Sequence, residues 1–450
     1  MPLWALLYQS REGSTTTCVI RQERNNTIIP LKETVRIMLS EADKTSAKRF
    51  VMFTVFVYSL GFGIIIPVLP SFIMMLEDVD LARATFLGGL IAASYALFQF
   101  LMGPLIGNLS DRFGRRPVFM LSLAGFAIDY LLMGFAPNVI WLFVGRSIAG
   151  GLGAIFGPAN SAMADMLSED ERAKGFGLIG AAFGIGFVLG PAIGGLIANY
   201  DPRLPFFLAA GLAGVAFVYG FFAFPETLPK SKRRSFDLSR ANPVGALRAL
   251  GQVPAIHRLA AVYLLWLTAT NIYPATWSYF ARAQYGWDNA FVGYSLAIVG
   301  ISMAMFQTLV IGRSVKRFGE RRTAFIAISC AIIGFTFNML NPIGWATLLV
   351  CFLIGVQAMA LPAINAMMSR RVSETMQGEL QGFNGSLSAL AALIAPLLYN
   401  SILTYAIAPE SSIYFPGAPF AIAIAIAVLT LVIIGSVESH TKPGVARQSI

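Results

Sequence analysis

Two ionisable residues, Asp129 and Arg146, lie inside long apolar segments of this sequence. A charged side chain at the centre of a membrane helix costs about 2.5–3.5 kcal/mol and usually faces a cavity or a partner. Counted from opposite ends of their segments, the two lie about 18 Å and about 10 Å deep. In a hydrocarbon core of about 30 Å these depths nearly coincide, so we expect the residues to pair, directly or through water. Such a carboxylate could carry a proton, being ionised beside the arginine and protonated when the charge moves away; a static ion pair is the alternative.

The apolar segments that hold these residues indicate a membrane protein. Of the 450 residues, 56% are hydrophobic and 12% are charged, and the mean hydropathy is +0.68. Soluble chains carry about 25% charged residues. Runs of about 20 apolar residues predict membrane-crossing helices, and the predicted fold is therefore all-α and polytopic. Twelve spans are predicted, numbered here in chain order: 50–76, 85–108, 117–135, 139–164, 173–199, 205–224, 258–282, 289–312, 322–340, 343–368, 378–405 and 416–437.

The basic residues predict the orientation of these spans. Loops that follow even-numbered spans hold clusters of Lys and Arg, whereas the odd-numbered loops hold Arg83, Arg203 and Arg282 alone. Basic loops stay in the cytoplasm, so both termini are predicted to be cytoplasmic. This placement also explains the net charge of +10 without a nucleic-acid partner. The predicted location is the inner (cytoplasmic) membrane, as a multi-pass protein in contact with the lipid bilayer.

The chain is predicted to consist of two similar halves. Gly107 and Gly312 are separated along the chain by the same distance as Pro191 and Pro396. A parallel repeat of six plus six helices places substrate sites between the halves, near the midplane of the bilayer. The predicted segments are a cytoplasmic tail at 1–49, a six-helix bundle at 50–224, a basic cytoplasmic linker at 225–257, a second bundle at 258–437 and a cytoplasmic tail at 438–450.

The polar stretch 1–49 differs from the segments that follow it. Its apolar runs are too short to cross a membrane, and its basic residues follow rather than precede the first of them, the reverse of a signal peptide. Residues 38–50 alone make an ordinary short lead-in to span 1. We therefore expect Met38 to be the natural start of the protein.

The loop between spans 2 and 3 contains the most specific pattern in the chain, at residues 103–117. Glycine at position 114 permits a tight turn, and Asp111 can accept from a helix N-terminus or from an arginine of the other half. Gly107 would permit close helix contact. The pattern resembles the signature loop of the major facilitator superfamily, which implies a cytoplasmic gate. The alternative is a basic loop that serves topology alone. The predicted gate residues are Gly107, Asp111, Arg112, Gly114, Arg115 and Arg116.

Span 5 carries glycines four residues apart, which line one helix face and allow another helix to approach. Pro191 removes a backbone hydrogen bond and bends the helix. The pattern resembles the antiporter motif of drug-exporting members of the superfamily; packing alone is the other interpretation. Its residues are Gly186, Gly190, Pro191, Gly194 and Gly195.

Over residues 50–437 the chain is most similar to the tetracycline/proton antiporters. The landmarks are residues 61–70, the loop at 103–117, Asp129 in Ile-Asp-Tyr, Arg146 in Gly-Arg, and residues 190–195. The family pattern has an aspartate where Tyr58 stands, a histidine near Ser302 or Met303, and an acid in span 9, where this chain has none. These departures argue against tetracycline as the substrate and leave Asp129 as the main proton carrier.

The sequence therefore predicts an exporter that exchanges a small drug-like molecule for protons by alternating access, functional as a monomer. A nutrient symporter or facilitator and a non-transporting sensor on the same scaffold are the alternatives. No nucleophile–base pair, metal-ligand cluster or nucleotide loop is present, which predicts a protein that is not an enzyme and uses no metal or cofactor. The polar and aromatic span residues that could line a substrate cavity are Tyr58, Tyr95, Gln99, Asn271, Trp277, Tyr279, Gln307, Gln357 and Asn365.

Overall fold

The computed structural model describes residues 8–10, 17–21, 28–30, 41–153, 155–236, 254–373 and 376–437. The predicted start at Met38, most of the linker and the tail at 438–450 lie outside these residues. Three short strands, Tyr8–Ser10, Thr17–Arg21 and Ile28–Pro30, form an antiparallel sheet in chain order. The sequence did not predict this sheet. From residue 41 onward the described chain holds helices and no strand, and the all-α membrane fold is confirmed for that part.

The first six predicted spans correspond to seven helices. Spans 1, 2, 3, 5 and 6 are each one helix, and span 4 is interrupted around Gly153, in a glycine-rich stretch that weakens helical structure. The helices are Glu41–Glu77, Leu81–Phe113, Arg115–Gly134, Val139–Leu152, Phe156–Met166, Glu169–Ala198 and Leu204–Ala223.

The remaining spans are more interrupted. Span 7 breaks at Asn271, because Pro274 has no N–H to donate to the carbonyl of Thr270. Span 8 contains a π-helical turn at Phe306–Val310, and span 10 contains a 3-10 segment at Ile354–Met359. A short 3-10 turn, Lys230–Lys232, lies in the linker. The helices are Pro254–Thr270, Ile272–Tyr285, Asn289–Met305, Ile311–Leu340, Gly344–Leu353, Ala360–Ser369, Gln377–Ile407 and Ala418–Ser436.

Ten helical stretches among the described residues are long and apolar enough to cross a membrane. Span 7 is not among them, because its two helices have 17 and 14 residues. The stretch Asn289–Leu340 counts once although it has 52 residues. It bends at Gly319, whose φ of 78° and ψ of 167° are not helical, between predicted spans 8 and 9. The number twelve stays a prediction.

In the described chain, buried apolar side chains form two separate clusters. One is built from residues 47–224, with Phe72 and Phe119 among its largest fully buried members. The other is built from residues 256–437 together with Ala82, and includes Trp266 and Phe335. Each cluster is the interior of one helical bundle, and the surfaces between the clusters are available for a site.

The two bundles touch at the end that carries the odd-numbered loops. The hydroxyl of Thr404 donates to the carbonyl of Ala82 at 3.2 Å. The side-chain amide of Asn199 donates to Asp288 at 2.8 Å, and the Ser71 hydroxyl donates to the Asn289 amide oxygen at 2.9 Å. The bundles are therefore held together at one end by hydrogen bonds that cross between them.

Candidate transport site

Asp129 and Arg146 meet inside the first bundle. The Nε of Arg146 donates to Oδ1 of Asp129 at 3.2 Å, and its Nη2 contacts the other carboxylate oxygen. Asp129 is fully buried and Arg146 is 6% exposed. Gly145 makes the approach possible, since a Cβ there would stand 2.7 Å from Oδ1 of Asp129. The Asp129 carboxylate is therefore buried, and Arg146 is the charged group that it contacts.

Aromatic residues surround the guanidinium group. It lies 5.4 Å from the ring centre of Tyr95 and 5.5 Å from that of Tyr130, which is the range of a cation–π contact. The hydroxyls of Tyr58 and Tyr95 are 3.1 Å apart, and Gln99 donates to the Tyr95 hydroxyl at 3.3 Å. These contacts link the buried ion pair to three residues that face the space between the bundles.

That space is a cavity of about 280 Å³ lined by both halves. Five of the nine predicted cavity residues line it: Tyr58, Tyr95, Gln99, Asn271 and Tyr279. Arg146 also lines it, whereas Asp129 lies behind the arginine. The other lining residues are Phe62, Ile65, Ile66, Leu69, Gly88, Ile91, Ala92, Ala96, Phe156, Phe183, Pro274, Ala275, Ser278, Ala392 and Pro396.

Four predicted cavity residues lie elsewhere. The Trp277 indole donates to Ser295 at 2.8 Å, and the Asn365 amide oxygen accepts from Asn384 at 2.9 Å. Gln357 is buried within the 3-10 segment of span 10, and Gln307 is exposed in the π-helical turn of span 8. A polar side chain in an apolar span can form a hydrogen bond to a neighbouring helix or face a cavity, and the sequence does not distinguish the two.

Ser278 lines the cavity but was missed by the sequence analysis. From Asn271, which precedes the second helix of span 7, the lining residues Asn271, Pro274, Ala275 and Ser278 follow the spacing i, i+3, i+4, i+7 of a single helix face. Once Asn271 is placed at the cavity, this spacing is the signal that finds Ser278.

The predicted gate loop is held by a charged network. Asp111 accepts from Nη1 of Arg115 at 2.7 Å, and Nε of Arg115 donates to Asp165 at 3.2 Å. Glu226 accepts from the backbone N–H of Arg115 at 2.8 Å and from that of Arg116 at 3.3 Å, which caps the first turn of span 3. Asp165 and Glu226 were not predicted. In the described chain, the side-chain partners of Asp111 and Arg115 belong to the first half or to the start of the linker.

The remaining gate residues differ in what surrounds them. Gly114 has a φ of 107°, a value that disfavours any side chain. The guanidinium groups of Arg112 and Arg116 lie over the rings of Phe113 and Phe221, at 5.1 Å and 5.9 Å. The close helix contact expected at Gly107 is absent from the described residues, because no atom outside the backbone of its own helix lies within 4 Å of where its Cβ would be.

The glycine face of span 5 packs against the backbone of span 1. A Cβ on Gly186 would stand 2.9 Å from the backbone nitrogen of Leu60, and one on Gly194 would stand 2.8 Å from Cα of Ile64. Gly190 meets the backbone of Leu60 and Gly63 in the same way. The face therefore works as a groove for another helix, as its spacing indicates.

The carbonyl of Pro191 and the backbone at Gly195 face the second half, whereas the ring of Pro191 lies against Gly63 of span 1. A Cβ on Gly293 of span 8 would meet the carbonyl of Pro191, and one on Gly195 would meet the backbone of Asn289. Span 5 therefore packs closely against both span 1 and span 8, with Pro191 in contact with each, and its position affects both halves.

A family model described as Major Facilitator Superfamily matches residues 51–396 and 267–447. The chain belongs to this superfamily. It is 37% identical over 351 residues to the class D tetracycline resistance protein of Salmonella ordonez, covering 77% of this chain and 86% of that protein. It is 35% identical over 350 residues to the class C protein of Escherichia coli, covering 78% and 87%. The resemblance predicted from the loop at 103–117 is confirmed.

Solved structures of the superfamily agree on the fold. The human organic anion transporter MFSD10 matches 87% of this chain and 99% of its own, with a TM-score of 0.65 and 24% identity. At that identity the likeness concerns the fold alone. The cavity lies between the two bundles, where transporters of this superfamily bind their substrates.

Among the described residues, no group of three or more His, Cys, Asp or Glu could hold a metal ion.

Proposed function

We propose that this protein exports small drug-like molecules in exchange for protons, by alternating access in the inner (cytoplasmic) membrane. The observation that carries the proposal is the buried Asp129–Arg146 pair, whose arginine lines the cavity between the bundles. The relatives named as tetracycline resistance proteins support export of a drug. In this proposal the protein has twelve spans and acts as a monomer.

The pair makes proton and substrate binding exclude one another. While Asp129 is ionised, it balances the charge of Arg146, and the cavity can bury an apolar molecule. When Asp129 takes up a proton, an unbalanced guanidinium group faces the cavity, and desolvating it is costly. The substrate therefore leaves as the proton arrives, which is the competition that antiport requires.

Alternating access then moves the open end of the cavity. The cross-bundle hydrogen bonds of Thr404, Asn199 and Ser71 close the end that carries the odd-numbered loops. With that end outside, as the basic loops indicate, the structure faces the cytoplasm. The loop around Asp111 would close the cytoplasmic end when the bundles rock, by exchanging its partners in the first half and the linker for partners on the second half.

Proton release from everted membrane vesicles on addition of a drug panel, tetracycline included, tests the proposal. We expect release with the wild type and none with Asp129→Asn. The control is Asp80→Asn, which removes an exposed carboxylate that caps span 2, a role that Asn fills equally well. Unchanged release in Asp129→Asn would contradict the role of this residue. No release across the panel, with uptake of a nutrient in right-side-out vesicles, would replace export by import.

A further inference from the structure

Two residues that line the cavity carry buried hydroxyl groups with no hydrogen-bond partner in the described part of the chain. They are Ser278 and Tyr279 on the second helix of span 7, which are 3% and 4% exposed. Both residues line the cavity, and neither hydroxyl finds a partner among the described residues. Leaving a buried polar group unpaired lowers the stability of the protein. A ligand in the cavity toward which these side chains turned would therefore gain hydrogen bonds that the free protein lacks.

The position of Tyr279 is fixed by the other half. Its hydroxyl lies against Gly88 of span 2, where a Cβ would overlap it. The tyrosine therefore reaches across the boundary between the bundles, and a ligand that bonds to its hydroxyl contacts both halves. A contact of this kind is sensitive to the rocking of the bundles, which makes it suited to a substrate subsite.

The charges among the lining residues determine which charge a ligand of this cavity can carry. Arg146 is the charged residue among the lining residues that the structure describes, and its charge is balanced by Asp129. No carboxylate in this part of the chain faces the cavity. A permanent cation would therefore give up its hydration without gaining a counter-ion. The rings of Phe62, Phe156 and Phe183 offer flat apolar contacts, which favour an aromatic ligand.

We propose that the substrate is an aromatic molecule without net positive charge, whose carbonyl or similar acceptor group takes hydrogen bonds from Ser278 and Tyr279. Permanent cations and cationic metal chelates are poor ligands of this cavity. The identification as a substrate rests on the proposed export function, whereas the binding site itself does not.

Dye binding to the purified protein in lipid nanodiscs tests the site. The probe is propionyl-dimethylaminonaphthalene, which is uncharged, carries a carbonyl acceptor and emits at longer wavelength when that carbonyl accepts a hydrogen bond. We expect saturable binding above that of empty nanodiscs. Ser278→Ala and Tyr279→Phe should each weaken binding about tenfold, the loss expected for one buried hydrogen bond, and should shift the emission to shorter wavelength.

Three further compounds act as matched controls. Dimethylaminonaphthalene, which lacks the carbonyl, should bind the wild type and both variants equally. The quaternary trimethylammonium form of the dye, and tetracycline with Mg²⁺, should fail to displace the probe at a roughly hundredfold excess. The ligand-free variants should melt at or above the wild-type temperature, because each loses an unpaired hydroxyl, and this excludes misfolding as the cause of weaker binding.

Equal dye affinity in wild type and variants, absence of saturable binding, or displacement by the quaternary analogue at low excess would each overturn the proposal. Binding that depends on the hydroxyls without any proton release from vesicles would leave the site standing and overturn the export function. Proton release from vesicles, together with dye binding that neither variant weakens, would support the export function and overturn the proposed site.

Discussion

The loops at 111–116 and 316–321 share a backbone turn and differ in their side-chain contacts. Gly114 and Gly319 occupy equivalent places and have φ values of 107° and 78°. Around Gly114, Asp111, Arg115, Asp165 and Glu226 form a connected network. The corresponding contact in the second half is an ion pair of Glu320 with Arg370 at 2.6 Å, in which the arginine is 61% exposed. The internal repeat therefore preserved the turn and not the charges.

The interiors of the halves show the same contrast. The first bundle buries an ion pair, Asp129–Arg146. The equivalent positions of the second bundle hold Gly334 and Cys351, which form no ion pair. A fully buried side-chain contact described there is neutral, with the Thr276 hydroxyl donating to Asn400 at 2.8 Å. We infer a division of labour, in which the first half carries the charge changes of the cycle and the second half supplies neutral hydrogen-bonding groups to the cavity.

The largest expected effect comes from breaking the buried pair. Arg146→Ala leaves the Asp129 carboxylate buried without its partner and should lower the free energy of unfolding by about 3 kcal/mol. Replacing both members, with Asp129→Asn and Arg146→Gln, should recover most of that stability while abolishing proton coupling. Denaturant titration in detergent measures the first effect, and vesicle proton release measures the second.

A neutral pair in the second half is the matched control for this prediction. Thr276→Val, which breaks a neutral contact, should cost about 1 kcal/mol. Equal losses for Arg146→Ala and Thr276→Val would contradict the division of labour, because the charged pair would then contribute no more than a neutral one.

A smaller effect is expected where span 5 is compared with span 11, its equivalent in the second half. Gly190 of span 5 lies against the backbone of Leu60, whereas the equivalent residue of span 11, Ala395, is fully buried and has a side chain to pack. Gly190→Ala should overpack this contact, costing about 2 kcal/mol and slowing transport. Ala395→Gly should cost about 1 kcal/mol, mainly through backbone freedom. Melting temperature and transport rate, measured together, check both. Equal transport in the two variants would contradict a special role for the glycine face.

The fold and the buried pair could be predicted from sequence, because apolar runs of spanning length and a charge within them are strong local signals. The network around the gate loop could not. Asp165 and Glu226 stand at span ends, where carboxylates are ordinarily solvated, and they reach Arg115 from 50 and 111 residues away. The break at Asn271 and the different roles of Trp277 and Ser278 depend on how the helices pack, which no single span reveals.

The smallest expected effect separates the contribution of the charged network around Asp111 from that of the glycine turn. Gly114→Ala and Gly319→Ala place a side chain at a backbone conformation that glycine alone adopts cheaply, and each should cost about 1 kcal/mol of stability. Of these two positions, only at 114 would the new Cβ stand within 2.6 Å of a carboxylate carbon, that of Glu226. At position 319 no described atom beyond the neighbouring backbone lies within 4 Å of the new Cβ. Transport should therefore fall in Gly114→Ala and stay near wild type in Gly319→Ala, although their melting temperatures are similar. If both variants lost transport equally, the turn itself would be the gating element, and the charges around Asp111 would not be required for gating.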